Sequence, residues 1–329
     1  MQQISGPNFP GTPNINPRSL TSRAVAGALG LCMLATGGCG AAGPNSADGT
    51  GQPGVYTDSN GNVISSNGDV VINGNGSIQT DGCRFKIGGD APDRPTVTGE
   101  QRSFDAANLN ISGLIADTTV RVEEGDKTSY RVTAPAELLG LVTSSEVSTP
   151  EGEALDLRFS CPKEEVAIRQ PIRVEVSLPR GGAVSIYNAL GNTVIGDTEG
   201  LLRVNTGGSG DMTIGDVLSA DITASGSSKH KLGAVRGDFS AKLSGSSNLS
   251  VGRLDGQAAE AHAEGSSHIQ ISDGDIKTFY AAASGSGDIS FGGQVDRATL
   301  VASGASSISV EKTGTHTQDE SGAGKITVG

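Results

Sequence analysis

Four cysteines are the most reactive side chains in this 329-residue sequence, and their places imply different chemistries. Cys39 closes the run Thr36-Gly37-Gly38-Cys39. Small residues directly before a cysteine form the bacterial lipobox, in which the thiol is acylated and that residue becomes the new N-terminus. The preceding chain agrees. Arg18 and Arg23 are the only charges in the first 46 residues, and the uncharged stretch 24–35 is rich in Ala, Gly and Leu. Such a stretch is too short for a membrane span of about 20 residues but suits a signal-peptide core. Thr36 departs from the motif, which prefers Leu, so an ordinary secretory signal with a chance cysteine is the alternative. Cys32 leaves with the signal, and Cys83 and Cys161 remain. In an exported protein two leftover cysteines read as a disulfide. Closing a loop of 161 − 83 = 78 residues restricts the unfolded chain by about 4–5 kcal/mol.

Other reactive groups are scattered. Asp255, Asp273, Asp275 and Asp296 fall on one corner of successive repeats and could offer carboxylate oxygens to a divalent cation. Equally, Asp255-Gly256 and Asp273-Gly274 are ordinary turn formers. Asp211 and Asp288 share a row but stand four coils apart, about 19 Å at strand spacing. Paired glycosidase carboxylates lie within about 10 Å, so these two cannot work together. His262 and His268 point outward, whereas His230 falls on an inward position, where an edge location is expected. No phosphate-binding Gly-x-x-x-x-Gly-Lys motif occurs, nor a Gly-x-Ser-x-Gly elbow. Gly207-Gly208-Ser209-Gly210-Asp211 misplaces its aspartate for a calcium-binding nonapeptide roll. No cofactor is expected. With 36 acidic against 24 basic residues the net charge is −12, which repels nucleic acid. Outward aromatics are nearly absent, Tyr280 being the exception.

The elements that carry these groups are legible as a repeat. A glycine turn recurs at Gly208, Gly226, Gly245, Gly265, Gly285, Gly304 and Gly322, at spacings of 18, 19, 20, 20, 19 and 18. Four and six residues after each turn the positions are mostly apolar, as in Ile269 and Ile271 or Ile289 and Phe291, with a polar residue between. That two-residue period is a strand with one buried face. A second alternating strand precedes each turn and is rich in inward alanine, as in Ala259, Ala261 and Ala263. A fixed period near 20 residues with short strands specifies a solenoid. The predicted fold is all-β: a right-handed parallel β-solenoid of about 19 residues per coil. All 13 prolines lie at or before Pro179, leaving the repeats free of a residue that a continuous parallel sheet excludes. The glycine count of 49 and 3% aromatics then describe a thin core rather than disorder or collagen.

The expected organisation is a signal peptide at 1–38, a flexible Gly/Ser/Asn/Pro tether at 39–62 and a short β/turn segment at 63–98. A β-rich region at 99–180 comes next, either imperfect first coils or a cap, and then the regular solenoid at 181–329. Removing two arginines and no acids with the signal makes the mature charge −12 − 2 = −14, so lipid rather than charge would hold the protein to an anionic membrane.

Arg102-Ser103-Phe104-Asp105, Val120-Arg121-Val122 with Glu124-Gly125-Asp126, and Tyr130-Arg131-Val132-Thr133-Ala134 resemble the opening of the bacterial head GIN domain. Ser284-Gly285-Ser286-Gly287-Asp288-Ile289 is similar to that family's repeated turn. The resemblance covers roughly residues 100 to 310 and brings no catalytic residues. It implies an exported, lipid-anchored, adhesin-like β-helical protein. Asn, Lys or His replaces Asp in several turns, and the Cys83–Cys161 pair falls outside the pattern. The expected function is non-catalytic contact with a surface, glycan or protein from the cell envelope, with homo-oligomers through open strand edges as a further expectation. The alternatives are a signalling or scaffold lipoprotein and a polysaccharide-active enzyme.

Overall fold

The computed structural model describes residues 93–160, 166–208 and 210–329, together with the backbone of short strands between Val55 and Ile87. The expected signal peptide, most of the tether, Cys39 and Cys161 lie outside the described residues, and of Cys83 only the backbone is described.

The alternation of side chains becomes a β-solenoid of about 8 turns. In the Gly265 coil, Ala259, Ala261, Ala263, Ile269 and Ile271 are all at most 5% exposed. Glu260, His268 and Gln270 between them are exposed. Successive coils pair in parallel with like positions superposed, so Phe239, Ala259, Phe279 and Ala298 form one inward column. Leu249, Ile269, Ile289 and Ile308 form another. A third, shorter side contributes Val235, Leu254 and Val295, all buried. The interior is thin, and alanines make room for large side chains: Phe279 and Phe291 pack with ring centroids 5.3 Å apart.

The turns require glycine for two separate reasons. Six of the seven anchors adopt positive φ; Gly208 does not. Gly265 has φ of 72°, and a Cβ there would meet the Gly245 carbonyl oxygen at 2.8 Å. Left-handed backbone costs a substituted residue about 1–2 kcal/mol, and the clash with main chain adds to it. Gly265→Ala is therefore expected to destabilise the solenoid by about 2 kcal/mol or more, read as a fall in melting midpoint. An unchanged midpoint would show that the turn relaxes freely.

Within residues 99–180 some strands join the parallel coils and others pair antiparallel beside them. Asn108–Ser112 and Asp117–Glu123 pair in parallel with Val184–Tyr187 and Thr193–Ile195, so the spine passes over the residues between. On their other side lie Gly152–Phe159 and Arg173–Pro179, also parallel but later in sequence. Antiparallel strands Val142–Thr149 and Thr128–Pro135 finish this end. The short segments from Val55 to Ile87 form an antiparallel meander whose last strand, Cys83–Ile87, pairs in parallel with Val166–Ile168.

At the opposite end, His316, Gln318 and Glu320 align with buried Ala298, Leu300 and Ala302, placing polar groups on an inward column. All three are exposed, and a Glu320 carboxylate oxygen accepts the Ile326 N–H at 2.6 Å. Another coil stacked here would bury three polar side chains without water, a penalty that discourages coil-on-coil assembly through this end.

Candidate functional site

At the acidic corner one guanidinium, Arg253, lies between two of the four carboxylates. Asp255 and Asp275 face each other across adjacent coils, with the Asp275 N–H donating to Asp255 at 3.1 Å. Arg253 reaches Asp255 at 2.6 Å and also pairs with Asp273. A guanidinium thus stands where a cation would, held charged by Asp255 first and Asp273 second. Among the described residues no three His, Cys, Asp or Glu side chains converge as metal ligands. The row predicted three residues past each turn is present, running Asn248, His268, Asp288, Ser307 and Lys325. His262 and His268 are partly exposed and pair with Glu260 and Asp288. His230 differs from its expected edge position: at 2% exposure it lies between Met212 and Leu249, one coil to either side.

An open groove of about 600 Å³ runs across successive coils of the solenoid. It lies over two outward rows, five and seven residues before each turn, in which short side chains such as Ser240, Ala258 and Thr278 stand among longer ones. Ser240 and Ala258 leave a depression whose floor reaches Ala220, Phe239 and Ala259. Asp221, Asp238, Glu260, Tyr280 and Arg297 stand along it. From the coil of Leu201 to that of Arg297 is five coil steps, about 24 Å at strand spacing. Tyr280 is 38% exposed, and its ring lies 5.4 Å from that of His262, tilted by 43°. Asp221 and Asp238 have no ion-pair partner within 4.0 Å among the described residues, whereas Glu260 contacts His262 at 2.5 Å.

At one end this groove approaches the cap. The row through Asp221 continues backwards as Arg203, Ser185, Asn110 and Asp156. There Glu151, in the hairpin tip 149–152, pairs with Arg203, and the Asp156 side chain is wholly buried against Arg158 and Asn110. A second cleft, of about 560 Å³, lies by the cap between Thr98, Thr119, Arg173 and Glu175. It neutralises itself, since Arg131 hydrogen-bonds Glu175 and holds that carboxyl below the usual range.

No motif or mutual spacing singles out the groove acids in the sequence. They occupy outward positions that no repeat rule constrains, and the one signal they carry is their phase relative to the turns. Tyr280 is visible as the exceptional outward aromatic.

A family model described as "Putative auto-transporter adhesin, head GIN domain" matches residues 113–275. The chain carries a head GIN domain. The match covers the early coils and most of the groove. The "putative adhesin" of Parabacteroides distasonis ATCC 8503 is 14% identical, with a TM-score of 0.56 over 74% of this chain and 100% of that one. That of Parabacteroides merdae ATCC 43184 is also 14% identical, with a TM-score of 0.53 over 74% and 99%. At that identity these likenesses show a shared fold and nothing more. No curated protein matches the sequence.

Proposed function

We propose that this head GIN protein is an exported, lipid-anchored envelope protein whose solenoid is a non-catalytic, adhesin-like contact module. The observation that carries the reading is the axial groove: an extended channel crossing successive coils suits an elongated partner better than a small substrate. The family description, an adhesin, points the same way. Acylation at Cys39 supplies the anchor in this reading, with residues 40–62 as the tether. Among the described residues no helix is long and apolar enough to cross a membrane.

Adhesion is tested by displaying the full chain on a non-adherent bacterial host and measuring retention on cells and matrix. Retention no greater than that of the host alone would overturn the contact reading. Palmitate labelling that survives Cys39→Ala would overturn the anchor.

A disulfide between Cys83 and Cys161 belongs to the same reading. It is supported by the parallel ladder that sets Phe85 opposite Val166, two residues past one cysteine and five past the other. The mature exported protein is expected to show no free thiol under denaturing conditions without reductant. Titration of two thiols would refute the bridge.

A further inference from the structure

We propose that the axial groove binds an extended polypeptide segment rich in lysine or arginine. The proposal rests on the contact reading above and names the partner's chemistry. Three carboxylates, Asp221, Asp238 and Glu260, stand along the groove against one cation, Arg297 at its far end. Asp221 and Asp238 form no ion pair within 4.0 Å among the described residues, and Arg203, the ladder neighbour of Asp221, is already paired with Glu151. This differs from the acidic corner, where Arg253 occupies the space between carboxylates.

The groove is also more than an acidic strip. Leu201, Ala220 and Ala258 line it with apolar surface between the charged groups. That combination suits lysine and arginine, whose aliphatic stems cover apolar surface while the charged head reaches a carboxylate. Tyr280 offers a ring face to a cation, an attraction that a neutral side chain would not share. Length and openness fit a chain rather than a compact ligand. The channel of about 24 Å accommodates about seven extended residues at 3.4 Å each. At the cap end Glu151 already pairs with Arg203, so the segment is expected to lie over the coils beyond that pair. The protein's overall charge of −12 draws a basic partner toward this surface, and the groove supplies the register.

The test uses the full-length protein with fluorescein-labelled heptalysine, a neutral seven-residue alanine–serine peptide and a linear neutral oligosaccharide. Heptalysine is expected to bind with an affinity that falls with salt, while the neutral peptide does not bind. Asp221→Asn/Asp238→Asn should weaken binding about tenfold, and Tyr280→Ala about fivefold, both at unchanged melting temperature. A charge-matched variant away from the groove, Glu264→Gln/Asp319→Asn, should change it less than twofold. Equal weakening by the two double variants would reduce the effect to general charge attraction and overturn the proposal. Tyr280-dependent binding of the oligosaccharide without heptalysine binding would overturn it in favour of a glycan groove. If heptalysine fails but the displayed chain still adheres, the groove assignment falls and the adhesive reading stands.

Discussion

Replacing Phe279 with alanine is expected to cost about 3–5 kcal/mol, concentrated in the C-terminal coils. Phe279 is 2% exposed and packs against Phe291, likewise buried, on an inward column where its immediate neighbours are alanines. Its column neighbours are Ala259 and Ala298, whose short side chains cannot swing into the vacated volume. The hydrogen-bonded ladders on either side hold the strands at fixed separation, so the cavity cannot close by collapse. A solenoid is stabilised by each coil and its contacts with the next, which confines the damage to nearby coils. Hydrogen exchange should therefore show protection lost between about residues 259 and 310, while Leu109, Ile111 and Val184 near the cap keep theirs. A uniform loss across the molecule would mean the solenoid unfolds as one cooperative unit.

The same alanine columns explain why so much of the regular solenoid is legible in the sequence. Each coil repeats the constraint that a backbone stacked on its neighbour imposes, so the pattern is written several times. Distance from the turns alone places Ile269, Ile289 and Ile308 inward, and the ladder superposes them. The cap end is less legible because its pairing is out of chain order. Gly152–Phe159 lies against Asn108–Ser112 with a parallel register that no local pattern encodes. Its strands alternate correctly, but alternation says which face is buried and not which strand lies alongside.

Departures from the pattern are harder to interpret. His230 breaks the apolar rule on its column, and an edge position is the economical explanation from sequence. The structure instead buries it beside a hydroxyl: Ser228 lies two residues earlier, its Oγ 2.8 Å from Nε2. The serines two residues past several turns, Ser228, Ser247, Ser267 and Ser306, are all buried. Ser267 and Ser306 donate to carbonyls of Glu264 and Ala283. Their polarity disguises an inward column. The groove is illegible for the opposite reason, since outward residues are free to vary and Asp221, Asp238 and Glu260 become neighbours only once coils are stacked.

Burial of His230 makes the solenoid sensitive to mild acid. Desolvation lowers its pKa from 6.5 to about 4, against a smaller opposing influence of the Asp211 carboxylate. Nδ1 has no hydrogen-bond partner among the described residues, so nothing compensates a second proton on the ring. Between those two pKa values the unfolded chain binds the proton that the folded chain excludes. Stability is therefore full above pH 6.5 and falls as the pH drops toward 4, levelling off below the folded value. The total loss from this one group is about 3 kcal/mol, of which about 2 is expected by pH 5. Against a typical stability of about 5–15 kcal/mol, that is a large fraction. His230→Met places on the column the residue that Met212 already supplies one coil earlier. It should remove the loss between pH 7 and pH 5 in chemical denaturation. If wild type and variant lose equal stability across that interval, the acid sensitivity arises elsewhere and His230 is protonated within the fold.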